Sequence, residues 1–168
     1  MSLGTGYELD CPIARALDIV GERWTLLILR DLFHGFRRYS DFRKRIGVSP
    51  AILTQRLQRL IEEGVVSRVP GPGAHDEYEL TAKGERLWPV VHGLAYWGDE
   101  NYMKPATRQP YVHRQCDTPL DEGGMCEHCA TVPPARDVVM QPRKADLVGE
   151  RSRTRPREPH RLLEPLRL

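Results

Sequence analysis

The sequence has no apolar run approaching the ~18 residues that a membrane-spanning helix requires, so no span is predicted. Its opening stretch, MSLGTGYELD, has neither a basic region nor an apolar core, so no secretory leader is expected. The expectation is a cytoplasmic chain whose thiols stay reduced. Four cysteines in that compartment read as metal ligands, redox thiols or core residues, not as a disulfide framework. Nucleophile elbows, H-E-x-x-H, Walker loops and G-x-G-x-x-G are all missing, as are paired carboxylates set among aromatics. The GPG at residues 71–73 suits a hairpin tip, not a phosphate cradle. An enzyme is therefore not expected. A strong charge imbalance is also lacking: the net charge is only +2.

Charge is nevertheless unevenly placed. From Phe36 to Arg68 there are eight Lys/Arg against three Asp/Glu, and a second basic block follows Pro142. A local positive excess beside a helical hairpin is the footprint of phosphate contacts. The length, 168 residues with 40% hydrophobic, allows one ordinary domain and an appendage.

Residues 11–20, CPIARALDIV, read as a helix with Pro12 at its first position, where a missing N–H costs nothing. ERWTLLILRDLFHG, apolar nearly all round, reads as a buried central helix ending at Gly35. In YSDFRKRI, Ser40 is the expected N-cap, and Phe42 and Ile46 share a face. Gly47 and Val48 turn the chain, Ser49 caps the next helix and Pro50 starts it. Leu53, Leu57, Leu60 and Ile61 form its buried side. Two helices joined by a short glycine-containing turn are the helix-turn-helix pattern. Gly64 ends the pair. VVSRVP and EYEL then form a β-hairpin, and Thr81 caps one long helix over AKGERLWPVVHGLAYWGDEN, bent at Pro89 or Gly93. The expected fold is mainly α with a β-hairpin wing over residues 1–103. A small Cys/His-containing β segment follows at 104–142, and a basic, flexible tail at 143–168 in which RLLEPLRL can dock.

At ~100° per residue, Ala51, Gln55 and Gln58 fall opposite the leucines, flanked by Ile52 and Arg59. Glutamine can pair bidentately with adenine and arginine with guanine, while Ala or Ile can meet a thymine methyl. Ala51, Ile52 and Gln55 are the leading base readers, followed by Thr54, Gln58 and Arg59. Arg37, Arg38, Arg43, Lys44 and Arg45 suit phosphates, as do the Ser40 and Ser49 hydroxyls near helix starts. Arg68 and His75 of the hairpin suit the flanking backbone or minor groove. Each of these side chains is equally suited to a solvated polar face; the constellation is what points to DNA.

Three stretches carry a family resemblance: CPIARALDIVGERWTLLILRDL, RRYSDFRKRIGVSPAILTQRLQRLIEEGVVSR and YELTAKGERLWPVVHGLAYWG. Over residues 11–98 the chain resembles the HxlR-type winged-helix transcriptional regulators, cousins of the MarR group. The resemblance implies a homodimer formed largely through the first and last helices. It also implies one recognition helix per subunit in successive major grooves and a wing on the adjoining DNA. The expected function is a sequence-specific DNA-binding regulator, a repressor acting on an inverted repeat with half-sites ~34 Å apart.

Cys11 stands before a helix, where the macrodipole can activate a thiol. Some HxlR-type proteins sense oxidants or electrophiles with a cysteine in this position, so the resemblance implies a redox role; a packed thiol is the plainer reading. Farther on, HRQCDTPLDEGGMCEHCA pairs His113 with Cys116 and Cys126 with Cys129, two close pairs of the kind tetrahedral Zn²⁺ takes. His128 is the less suited ligand. Structural zinc, a C-x-x-C redox pair and unligated thiols are the three readings of this group; no other cofactor is expected. A protein-interaction module with a zinc or redox appendage is the alternative to DNA binding. A small-molecule or oxidant effector is a further expected partner, with a pocket near Trp24, Trp88 and Trp97 as its candidate place.

Overall fold

The structure, a computed structural model, describes residues 7, 9–72, 75–143 and 159–165. Helix α1 (Pro12–Val20) follows Cys11, which takes the N-cap position without a side-chain capping bond. Helix α2 (Thr25–Phe33) is the central element, with Ile28, Leu29, Leu32 and Phe33 buried. Helix α3 (Tyr39–Ile46) and helix α4 (Pro50–Glu62) form the hairpin across Gly47, whose φ of +71° is the left-handed conformation that glycine adopts without strain. Ser49 caps α4 as its sequence predicts, accepting from the Ile52 N–H at 3.4 Å. Ser40 does not cap α3: Arg38 stands at that position without a side-chain bond, and Ser40 lies exposed within the first turn. Tyr39 enters the helix ahead of it.

The wing is β1 (Val66–Pro70) paired antiparallel with β2 (Asp76–Leu80), in a register running from Val66 opposite Leu80 to Pro70 opposite Asp76. The single long helix expected after Thr81 is two helices. Thr81 caps α5 (Ala82–Glu85) by accepting from the Gly84 N–H, and α6 (Trp88–Tyr102) starts afresh with Pro89 in its first turn. A proline near a helix start loses no hydrogen bond, whereas inside a helix it would. Pro89 therefore begins a helix here and does not bend one. Only one side of α6 is buried. Trp88, Val91 and His92 are buried, while Val90, Leu94 and Trp97 stay between 51 and 55% exposed on the opposite side.

Beyond α6, β3 (Tyr111–His113), β4 (Val138–Met140) and β5 (His160–Arg161) make a three-stranded antiparallel sheet with β4 in the middle. The apolar core is continuous from the helices into this segment, running from Phe33, Leu57 and Trp88 to Tyr111, Leu120, Val138, Met140 and Leu162. The stretch RLLEP is docked. Leu162 is 1% exposed, the Leu163 N–H donates to the Phe33 carbonyl at 2.8 Å, and Arg37 donates to the Leu163 carbonyl at 3.1 Å. Gly35 allows this, because a Cβ there would lie 1.8 Å from the Glu164 oxygen. The rest of the tail reading, over 144–158 and 166–168, lies outside the described residues.

Candidate nucleic-acid interface and metal cluster

The leucines decide which side of α4 is free. Leu53, Leu57 and Leu60 are at most 2% exposed and tie the helix to the core. With that stripe buried, Ala51, Thr54, Gln55, Gln58 and Arg59 are exposed together on the other side. Ile52 is half-buried and packs against the core, so it is a weaker candidate for a thymine methyl than Ala51. Thr54 is engaged with the Tyr39 hydroxyl at 3.1 Å, which also reaches the Pro50 carbonyl at 3.0 Å. Tyr39 thereby braces the two helices at their junction, a role that its place at the start of YSDFRKRI did not reveal. Gln58 donates to Glu62 at 3.2 Å and Arg59 pairs with Glu63 at 2.9 Å. The C-terminal half of the face is thus partly neutralised, and the N-terminal half carries the clearest opening.

The expected phosphate ligands divide into two groups. Arg43 and Lys44 are exposed in the last turn of α3 and make no salt bridge among the described residues. Cations there also complement the helix dipole. Arg37, Arg38 and Arg45 are already committed. Arg37 pairs with Glu79 and Arg38 with Glu77 at 3.2 Å, while the Tyr78 N–H donates to the Arg37 carbonyl at 2.8 Å. These contacts fasten the wing to the α2–α3 link. Arg45 was expected at phosphate and is instead interior: its guanidinium lies 3.7 Å over the Phe36 ring and 3.0 Å from the Asp31 carboxylate. Asp31 is fully buried and also takes Arg30 at 2.7 Å. A buried carboxylate must be paired, and that requirement claims Arg45. Ser40 and Ser49 are exposed, Ser49 with its hydroxyl used as the cap. Arg68, on the wing, lies 3.8 Å from Asp76 and 5.8 Å from the Tyr78 ring; His75 is exposed near the tip.

His113, Cys116, Cys126 and Cys129 come together, with their ligating atoms all within 4.8 Å of one another. The Cys116 sulfur is 3.4 Å from Cys126, 3.7 Å from Cys129 and 3.6 Å from His113 Nδ1. His128 reaches Cys129 at 3.5 Å but is exposed and outside the group. Both pairs close in the same way: the residue after the second ligand, Asp117 or Ala130, has a positive φ of 53° or 51°. Left-handed non-glycine residues persist where surrounding contacts over-determine them. Bonds from the Thr118 side chain and backbone hold the Cys116 thiol down to about 6, whereas desolvation and the neighbouring thiols push Cys129 up to about 11. Such a cluster can hold a metal ion. Cys11 is half-exposed at the start of α1 and is not among the cluster residues.

A short helix anchored by leucines, a second helix across a left-handed glycine and a hairpin strapped alongside define a winged helix-turn-helix, a DNA-binding fold. The HxlR-like helix-turn-helix family profile matches residues 19–106, and the chain belongs to that family. The uncharacterized HTH-type transcriptional regulator Rv3095 of Mycobacterium tuberculosis is 39% identical over 134 residues, covering 77% of this chain and 84% of the relative. That likeness is too long to stop at the winged helix and runs into the Cys/His segment. The uncharacterized HTH-type transcriptional regulator YtfH of Escherichia coli is 40% identical over 101 residues, 58% of this chain and 80% of its own. Among solved structures, PA1607, described as a candidate transcription factor, superposes with a TM-score of 0.62 at 38% identity, over 68% of this chain and 82% of that one. The oxidised form of the redox regulator HypR superposes at 0.50 and 28% identity, over 54% and 97%. The relatives are regulators, not enzymes, and this chain is a transcriptional regulator with a helix-turn-helix DNA-binding fold. No helix among the described residues is long and apolar enough to cross a membrane.

Proposed function

We propose that the protein is a cytoplasmic repressor that binds double-stranded DNA as a homodimer, placing α4 of each subunit in successive major grooves of an inverted repeat. The single observation that supports this most is the exposed N-terminal half of α4. There Ala51 and Gln55 are exposed, and in the preceding helix Arg43 and Lys44 are exposed and make no salt bridge among the described residues. Ala51 and Gln55 read bases first and Gln58 and Arg59 second, while Arg43, Lys44, Ser40 and Ser49 meet phosphates and Arg68 and His75 follow the backbone beyond. Dimerisation is supported by Ile13 and Leu17 on α1 and by Val90, Leu94 and Trp97 on α6, all exposed apolar side chains on the terminal helices.

A band-shift series with altered half-site spacing tests the reading. Binding should fall when the spacing departs from ~34 Å, and Gln55→Ala with Arg59→Ala should cost ~1–3 kcal/mol of sequence discrimination per lost base contact. Indifference to spacing and to salt would favour the protein-interaction alternative.

The His/Cys cluster is proposed to hold structural Zn²⁺. Bonds of ~2.3 Å to sulfur and ~2.1 Å to imidazole would place tetrahedral edges at about 3.8 Å and about 3.6 Å. The three separations from Cys116, 3.4 to 3.7 Å, are close to those values, and all four ligating atoms lie within 4.8 Å of one another. His113, Cys116, Cys126 and Cys129 are the ligands. About one zinc per chain should be found in protein purified without a metal-binding tag, and protein carrying almost none would refute this. Cys11 is proposed as a redox-sensing thiol, supported by the likeness to HypR. Unchanged loss of DNA binding under diamide after Cys11→Ser would remove that role.

A further inference from the structure

The His/Cys cluster is fastened to α6 by one turn. Leu120 and Cys126 form a β-bridge, and Asp121 closes the turn between them, its carboxylate accepting from the Gly123 and Met125 N–H groups at 2.9 and 2.8 Å. The turn sits on His92, whose Nε2 is 2.9 Å from the Asp121 carbonyl. Gly124 lies against the imidazole, for a Cβ there would be 3.2 Å from its ring carbon. His92 is 2% exposed, packs against both Trp88 and Tyr111, and its Nδ1 has no hydrogen-bond partner among the described residues. Among the described residues the Asp121 carbonyl is the ring's one hydrogen-bond partner. Tyr111 belongs to β3, which also carries the ligand His113. On the opposite side of α6 are Val90, Leu94 and Trp97.

Resting on the zinc reading above, we propose that the cluster is a second redox site, separate from Cys11: peroxide-class oxidants convert Cys116 and Cys126 to a disulfide, expel the metal and unseat the Asp121–Gly124 turn from α6. Cys116 and Cys129 are half-exposed and Cys126 is buried; of the two neighbouring sulfurs Cys126 is the nearer to Cys116, at 3.4 Å against 3.7 Å. The Cys116 thiolate attacks peroxide, the O–O bond breaks, and a sulfenic acid forms as hydroxide leaves. The Cys126 thiolate then attacks that sulfur, the S–S bond forms and a second hydroxide departs. The two sulfurs lose two electrons in all, and the peroxide takes both up. His113 and Cys129 alone are too few to keep the ion.

The test uses the full chain carrying Cys11→Ser, so that the cluster supplies every remaining thiol. Metal content is measured first. Hydrogen peroxide is then added while released zinc is followed with a chromogenic chelator, free thiols are titrated after denaturation, and amide exchange is mapped. The expected result is one zinc released per two thiols lost, with exchange over Trp88–Trp97 about tenfold faster, and reversal by dithiothreitol with added zinc. Protein that never held zinc would defeat the metal reading and this proposal together. Zinc retained while thiols are oxidised would overturn the proposal alone. So would zinc released by peroxide, or stripped by a chelator, with α6 exchange unchanged.

Discussion

In the winged helix, Leu29, Phe33, Phe42, Leu53 and Leu60 are fully buried and come from three different helices. In the segment after α6, strands of two or three residues bury Tyr111, Val112, Val138 and Met140. Much of what remains is turns closed by Asp121, Thr118 and the cysteines. The first region can stand on apolar burial, since each large side chain removed from water contributes ~1.5–3 kcal/mol. The second shares its core with α2 and α6 and carries the His/Cys cluster. A metal held there, as proposed above, would add the staple that small segments without a sufficient core generally need.

The largest effect that would sharpen this contrast is expected from Phe42→Ala. Emptying a fully buried aromatic site in α3 should cost ~3–5 kcal/mol and lower the melting temperature of the whole chain. A loss below ~1 kcal/mol would show that the helical core is not what carries the stability. Gly35→Ala is expected to come next. Its Cβ meets the Glu164 carbonyl, and its φ of +85° disfavours a side chain, so the docked RLLEP stretch should detach at a cost of ~1–3 kcal/mol. Faster exchange confined to Leu162 and Leu163 would be the signature; exchange unchanged there would mean that the contact is not holding the segment. The smallest effect separates two serines that look alike in sequence. Ser49→Ala should destabilise by ~1 kcal/mol through loss of the α4 cap, while Ser40→Ala should leave thermal stability within ~0.5 kcal/mol. Equal effects in denaturant titrations would contradict the cap assignment.

The helix-turn-helix was legible because its signals are local. Gly47, Ser49 with Pro50, and the leucines at 53, 57 and 60 each act within a turn or two of chain. The four cluster residues were legible for the same reason, as two short pairs. The roles of the arginines were not. Between Arg43 and Arg45 the sequence shows no difference in kind, yet one faces solvent and the other is claimed by Asp31 across a helix pair. Arg37 and Arg38 look like free cations until β2 returns with Glu77 and Glu79 some forty residues later. Pro89 misled because a proline near a helix start and one inside a helix cannot be told apart until the end of the preceding helix is known.

Taken alone, the sequence determined the helix pair, its buried leucine stripe, the hairpin wing and the pairing of cysteine with histidine, since propensity, capping and periodicity act between near neighbours. Only the tertiary structure decided which cations remain available to an anionic partner, where Leu162 docks, and that the cluster sits on His92 of α6. Those outcomes depend on burial and charge pairing between residues far apart in the chain, which no local pattern encodes.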